Sequence, residues 1–319
     1  MKLLVTGANG FVGSAAVQNF SNLGHSVLAH ARSVASYSAT NIQAVQGDYD
    51  DIAPWQDQLV GCDAVIHTAA RVHQVKEVSA DPMHDYRHVN VDYTVALARA
   101  AAKSGVKRFI YLSSVKVNGN YTLKDHAYTA GDTPAPDDPY GISKYEAEKA
   151  LMQLEAETGM QVVIIRPPLV YGPGVKANFL SMMTWLHRGI PLPLGAIHNQ
   201  RSLLGLGNLL DLITVCLTHS QAANQTFLAS DGHDVSTTEL LQHMARALNV
   251  SPRLLKVPQS WLETGAKLVG KPGIAQRLCG NLAVDIGKTR ELLGWQPSVS
   301  LEAGLRETAA HFLQSRART

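Results

Sequence analysis

Short apolar runs alternate with amphipathic stretches through the first half of the chain. Runs at 2–6, 26–30, 42–46, 64–67, 108–113 and 162–166 read as strands. Helical periodicity appears at 13–23, near 55–59, at 89–104 and at 139–158. Strands that alternate with helices predict an α/β fold with a parallel sheet covered on both faces. Beyond 166 the rhythm weakens. PPLVYGPG at 167–174 is a Pro/Gly-rich crossover, 178–187 is helical, 191–195 is loop, and 206–219 is a helix or a strand–helix unit. A further helix at 236–248 opens with Ser236 and Glu239 spaced as a capping box. The pattern divides the chain into a regular α/β domain at 1–166 and a smaller α/β lobe at 167–319. Some segments of the second part are expected to return to the sheet.

The length of 319 residues allows a large buried core. The net charge of +2 is too small to argue for nucleic acid or an anionic membrane as a partner. Three widely spaced cysteines, Cys62, Cys216 and Cys279, fit buried free thiols in a reducing, cytoplasmic setting better than a disulfide framework. No run approaches the roughly 20 apolar residues of a membrane span. His84 and His88 stand four apart, but no third ligand is spaced to join them, so no metal site is expected. His67 ends a buried strand and is expected to be a satisfied interior histidine.

One loop brings chemistry into the picture. TGANGFVG follows the first strand and opens a helix, with Gly7, Gly10 and Gly13 spaced three apart. The first glycine permits a tight turn, the second lets backbone approach a pyrophosphate, and the third lets helix pack closely on sheet. The helix N-terminus then offers N–H groups and a positive dipole end to phosphate. This is the arrangement of a Rossmann-type, doubly wound dinucleotide-binding sheet, and Gly7, Asn9, Gly10, Phe11, Val12 and Gly13 are its candidate cofactor contacts. Two further stretches complete a pattern. YLSSVKVNG puts Ser113 and Ser114 at a strand end, and PYGISKYEAEKAL puts Tyr140 and Lys144 four apart on one helix face.

These motifs, with Asp48, His67–Ala70, Asn90, RPPLVYGPG and the C-terminal DIGKTRELLGWQPSVSLEAGL, resemble the extended short-chain dehydrogenase/reductase family of nucleotide-sugar epimerases, reductases and dehydratases. The resemblance runs over nearly the whole chain. It implies Tyr140 as the proton partner in oxidation or reduction at a carbinol carbon. A nearby ammonium, Lys144, is expected to favour the phenolate and to hold the nicotinamide ribose. Ser114, five residues before the glycine of Val117–Gly119, is expected to hydrogen-bond the reacting oxygen. The resemblance further assigns Asp48 and Tyr49 to adenine and Ala69 and Ala70 to the strand end beside the cofactor. It adds Asn90 and Pro167 to the cofactor site, and Asn178, Arg201 and Arg277 to the diphosphate or sugar of a UDP-sugar. It also implies a homodimer through a helix bundle that includes 89–104 and 140–158.

Departures from the family pattern narrow the reaction. Val115 and Lys116 stand where dehydratases carry an Asp–Glu pair, and valine cannot move a proton, so 4,6-dehydration is not expected. Lys116 is expected to face solvent. Leu169 replaces an Asn that many relatives use. In VLAHARS the position that would hold an acidic ribose ligand is Ala31, followed by Arg32 and Ser33. An acidic group there repels a 2′-phosphate, and an arginine pairs with one. NADP(H) is therefore expected over NAD(H). With it the expected reaction is reduction of a UDP-4-keto-6-deoxy-N-acetylhexosamine by NADPH, as in the O-antigen reductases of this branch. The alternative is a UDP-hexose 4-epimerase with tightly held NAD. Reduction of a non-nucleotide ketone and a non-enzymatic NADP sensor are further rivals. The first leaves Asn178 and Arg201 without a diphosphate to hold, and the second leaves the intact Tyr140–Lys144 pair without a purpose.

Overall fold

The computed structural model describes residues 1–33, 36–48, 51–53, 55–72, 80–268, 270 and 272–317. The chain opens with β1 (Lys2–Thr6), α1 (Phe11–Asn22), β2 (Ser26–Ala31), β3 (Ile42–Gln46) and β4 (Ala64–His67). Helices α2 (Pro82–Arg87) and α3 (Tyr93–Lys103) follow, joined by a π-helical turn at His88–Asp92. Next come β5 (Arg108–Leu112), α4 (Pro139–Thr158), β6 (Gln161–Arg166), β7 (Leu169–Tyr171), α5 (Ala177–His187), β8 (Leu203–Gly205), α6 (Leu206–Thr218) and β9 (Gln225–Leu228). The C-terminal part holds α7 (Thr237–Ala247), α8 (Gln259–Leu268), α9 (Pro272–Cys279), α10 (Gly287–Leu293) and α11 (Leu301–Ala317).

Seven strands form one parallel sheet in the order β3-β2-β1-β4-β5-β6-β9. The chain leaves β1 toward one edge and resumes at β4 toward the other. The carboxyl ends of these two neighbours therefore bound the crevice where such sheets take their ligands. Successive strand residues point to opposite faces, and both faces are dry. Leu3, Val5, Val27 and Ile66 pack with Ala16, Val17 and Phe20 of α1 and Leu209 and Ile213 of α6. Leu4, Leu28, Val65 and Phe109 pack with Leu97 of α3 and Ala147 and Leu151 of α4.

The expected α/β sheet is present, with local differences. The first helix starts at Phe11, earlier than expected, because Gly10 is its cap. The helix expected at 89–104 is divided by the π turn around Asn90. Several segments beyond Arg166 join the sheet unit, among them 282–295 through Leu282, Val284, Ile286, Leu293 and Trp295. Strand β9 pairs with β6, and α6 covers one face through Leu206, Leu209, Leu212, Ile213 and Cys216. A second core is built from Phe179, Met182 and Leu186 of α5, Leu240 and Met244 of α7, and Leu305 and Phe312 of α11. The expected capping box of α7 is formed: Glu239 N–H donates to Ser236 Oγ and Ser236 N–H donates to Glu239 Oε2.

Candidate active site

The glycine loop crosses the carboxyl end of β1 with no room for side chains. Gly7 has φ +68°, and a Cβ there would lie 2.9 Å from the Ala69 backbone. A Cβ on Gly13 would lie 2.1 Å from the Gly7 carbonyl oxygen. Neither obstacle is a flexible side chain, so Gly13→Ala should force the loop and α1 apart. We expect it to cost about 3 kcal/mol of stability by overpacking, read as a lowered Tm, together with lost dinucleotide binding. An unchanged Tm with unchanged binding would show that the close approach is not needed. Gly10 caps α1 without a side-chain bond, and the first turn holds no acidic residue. The positive end of the helix thus carries no acidic side chain in its own first turn.

The crevice walls are fixed from below. Thr68 Oγ1 donates to the Thr6 carbonyl at 2.7 Å, and Ala69 N–H donates to Thr6 Oγ1 at 3.3 Å. Ala69 is buried and Ala70 half-buried at this strand end. Asn9 Nδ2 donates to the carbonyl and hydroxyl oxygens of Ser33 at 2.9 and 3.0 Å, which locks the glycine loop to the end of β2. Buried Ala31 precedes exposed Arg32 there. Asp48 is exposed just after β3, and Tyr49 lies outside the described residues. His67 is buried between Thr6 Oγ1 (2.7 Å) and Thr94 Oγ1 (2.8 Å), and burial lowers its pKa well below the ordinary value. It is the satisfied interior histidine the sequence predicts.

Asn90 is buried inside the π turn. Its carbonyl accepts from Arg71 N–H at 2.8 Å, and its amide donates to the Arg71 carbonyl at 3.1 Å and to Ser143 Oγ at 2.9 Å. Ser143 Oγ in turn donates to the Tyr140 carbonyl at 2.8 Å. The π turn, a feature frequent at functional sites, here aims one side chain at both the loop after β4 and the first turn of α4.

Helix α4 presents Tyr140 and Lys144. Asp138 caps it by accepting from Gly141 N–H at 2.8 Å. The other Asp138 oxygen is ion-paired with Lys116. Lys116 therefore does not simply face solvent, contrary to expectation, because the cap carboxylate of α4 lies within its reach. Burial alone would raise the Asp138 carboxyl, yet the hydrogen bonds from Lys116 and Gly141 hold it below its ordinary range. Ser114 ends β5's extension and is hydrogen-bonded to Tyr140. Burial pushes the Tyr140 phenol well above its ordinary value, and the Ser114 bond opposes that rise. Lys144 is fully buried. Its Nζ donates to the Leu112 carbonyl at 2.8 Å and lies 4.5 Å from the Tyr111 ring centre and 6.0 Å from that of Tyr140. Burial lowers its pKa to about 7, with Glu148 pulling the other way. Lys144 is not among the groups that move the Tyr140 phenol in the protein alone, and desolvation dominates for both side chains.

That shift has a sign that can be measured. A lysine that is neutral when buried above about pH 7 but charged when unfolded opposes folding across that window. The penalty fades as pH rises toward the ordinary lysine range of about 10.4. In the nucleotide-free protein, the Tm advantage of Lys144→Met over the parent should be full at and below about pH 7 and shrink toward pH 9. A pH-independent difference in thermal melts would contradict the buried, neutral lysine.

A buried network that the sequence reading missed lies beneath this pair. Glu148 accepts from Arg166 Nε at 2.9 Å, Arg166 Nη2 at 2.6 Å and Ser113 Oγ at 2.5 Å, and Arg166 Nη1 donates to Asn118 Oδ1 at 3.1 Å. The available signal was Glu148 four residues after Lys144, on the same helix face. Pro167, next to Arg166, accepts from Val115 N–H at 3.0 Å.

The second part of the chain places the remaining candidates. Asn178 is exposed in the first turn of α5. Arg201 Nη1 donates to the carbonyls of Arg277 (3.0 Å) and Gly280 (3.1 Å), and burial lowers its pKa. Arg277 is exposed, with Nε on the Gly273 carbonyl at 3.2 Å. Arg201 and Arg277 are thus neighbours, although part of Arg201 is committed to backbone. No group of three or more metal-ligating side chains occurs among the described residues.

The sequence model for the NAD dependent epimerase/dehydratase family matches residues 3–229. The chain belongs to this family. Within it, the chain is 45% identical over 314 residues to a UDP-glucose 4-epimerase of Vibrio cholerae, covering 98% of this chain and 96% of that one. It is 27% identical over 259 residues to an N-acetyl-alpha-D-glucosaminyl-diphospho-ditrans,octacis-undecaprenol 4-epimerase of Escherichia coli O157:H7, covering 77% and 72%. The fold is shared with a Thermotoga maritima UDP-glucose 4-epimerase solved with UDP-glucose (TM-score 0.77, 22% identity, 99% and 100% coverage). It is also shared with a Bacillus cereus UDP-glucuronic acid 4-epimerase solved with NAD (TM-score 0.78, 21%, 98% and 99%). The chain is thus an enzyme of the extended short-chain dehydrogenase/reductase type, and the epimerase likeness favours the alternative reading above over the reductase first expected.

Proposed function

We propose that the enzyme interconverts the C4 epimers of a UDP-hexose and retains one NAD throughout. The observation that carries this reading is the end-to-end 45% identity to the Vibrio cholerae protein. The intact Ser114, Tyr140 and Lys144 at the mouth of the sheet support it. The glycine turn, too tight for a Cβ at Gly7 or Gly13, and an α1 N-terminus with no acidic residue in its first turn fit a pyrophosphate. In this reading the glycine loop holds that group and the end of β2 meets the adenosine ribose. Asp48 and Tyr49 meet adenine, Lys144 holds the nicotinamide ribose, and Asn178, Arg201 and Arg277 take the diphosphate of the sugar nucleotide.

Hydride acceptance and return at sugar C4 is the chemistry that a bound nicotinamide supplies. Tyr140 takes the proton of the C4 hydroxyl as that carbon is oxidised and gives it back when the carbon is reduced. Ser114 holds the same oxygen in line with the phenol. Lys144 favours the phenolate once a bound ligand satisfies its charge. Val115, beside Ser114, offers no proton-moving group, so elimination does not compete. The same reading proposes a homodimer through α3 and α4 and a cytoplasmic, reducing location. The three buried free cysteines are in keeping with that location. Among the described residues no helix is long and apolar enough to cross a membrane.

A second reading rests on Arg32. An exposed guanidinium after Ala31 suits a 2′-phosphate, which favours NADPH and net reduction of a UDP-4-keto-6-deoxy-N-acetylhexosamine. Dissociation constants for NADH and NADPH distinguish the two. The epimerase reading predicts tighter NADH, and tighter NADPH would favour the reductase.

A further inference from the structure

Helix α8 buries none of its residues, yet it carries large apolar side chains. Trp261 is 72% exposed and Leu268 83% exposed, and Leu255, Trp185 and Ile190 are exposed as well. Behind α8 runs an apolar groove of about 330 Å³, walled by side chains that include Trp185, Ile190, Leu192, Leu262, Ala266 and Leu278. A cluster of this kind on a soluble fold marks a contact surface. Its surroundings are basic. Exposed Arg188, Lys256 and Lys267 each lie within two residues of one of those apolar side chains, and Arg253 is exposed on the same segment. Over 252–268 the sequence holds Arg253, Lys256 and Lys267 against one acid, Glu263. The overall charge of +2 conceals this local concentration.

We propose that this face docks the enzyme on an anionic lipid bilayer, with Trp261 and Leu268 entering the interface and the basic side chains meeting lipid phosphates. Tryptophan suits the boundary between apolar and wet surroundings. A short amphipathic helix with basic flanks is a surface-lying element rather than a spanning one. A second copy of the chain fits less well, because its face would bring the same cations into opposition. The proposal concerns where the enzyme sits and stands apart from the reaction assigned above.

The test is co-sedimentation of the full chain with vesicles of phosphatidylcholine alone or mixed with phosphatidylglycerol. Bound protein should rise at least about ten-fold with phosphatidylglycerol and fall at high salt. The double variant Trp261→Ser/Leu268→Ser should lose that binding and keep its circular dichroism, melting temperature and turnover, since both side chains are exposed. Three outcomes would overturn the proposal. The parent could remain in the supernatant with anionic vesicles, the variant could bind as well as the parent, or the parent alone could self-associate without vesicles through this face.

Discussion

Tyr140→Phe should lower C4 turnover about 10³-fold while leaving nucleotide affinity within about three-fold, because a positioned proton-transfer group contributes roughly 10²–10⁴. The substitution deletes one oxygen and keeps the ring. The edge-on contact with Tyr86, 6.2 Å between ring centres, and the main-chain bond from Ser143 both remain. A loss confined to turnover assigns the hydroxyl to the chemistry. The partner substitution Ser114→Ala gives the direction of pH dependence. Ser114 is the group that opposes the burial-driven rise of the phenol. Without it the phenolate forms only at higher pH, so the ascending limb of the rate profile should move upward. Full activity in Tyr140→Phe, measured by appearance of the C4 epimer, would remove Tyr140 from the mechanism.

Arg166→Met should destabilise the protein by about 3–5 kcal/mol, the usual cost of stranding one partner of a buried ion pair. That corresponds to a Tm drop on the order of 10 °C. Both side chains are almost fully buried, and Glu148 relies on Arg166 for two of its hydrogen bonds. With Arg166 gone, Ser113 remains as a donor, and the buried Glu148 carboxyl is left without its cation. The double variant Arg166→Met/Glu148→Leu should recover most of the loss, since apolar groups of similar volume commonly replace a buried pair without net cost. Thermal melts of the three proteins decide the matter. A single variant as stable as the parent would mean that water or a neighbour already satisfies Glu148.

The parts of this molecule that follow a local rule were legible in the sequence. Continuous apolar runs gave β1, β4 and β5, because strands buried on both faces admit little else. Gly7, Gly10 and Gly13 announced the crevice, since their spacing meets a backbone requirement of one turn. The capping box of α7 depends on two residues three apart. What stayed hidden depends on contacts distant in sequence. Strand β9 has only Phe227 and Leu228 in the dry interior, too short a signal to separate from loop, and it becomes a strand because β6 offers an open edge. The π turn is set by Asn90 meeting Arg71 and Ser143, neither of them a helix neighbour. Lys116 was read as solvated because its partner Asp138 lies 22 residues away. At Tyr140 and Lys144 charge proximity is visible in a four-residue spacing, and the desolvation that sets both shifts is not.

The central claim is that this chain inverts C4 of a UDP-sugar with a nucleotide it already holds. The direct measurement is to incubate the enzyme as purified, without added cofactor, with UDP-glucose and to follow UDP-galactose by proton NMR. The account predicts approach to an equilibrium mixture of the two epimers. No inversion of UDP-glucose or UDP-N-acetylglucosamine without cofactor, together with stoichiometric NADPH oxidation when a UDP-4-keto-6-deoxy sugar is supplied, would contradict it.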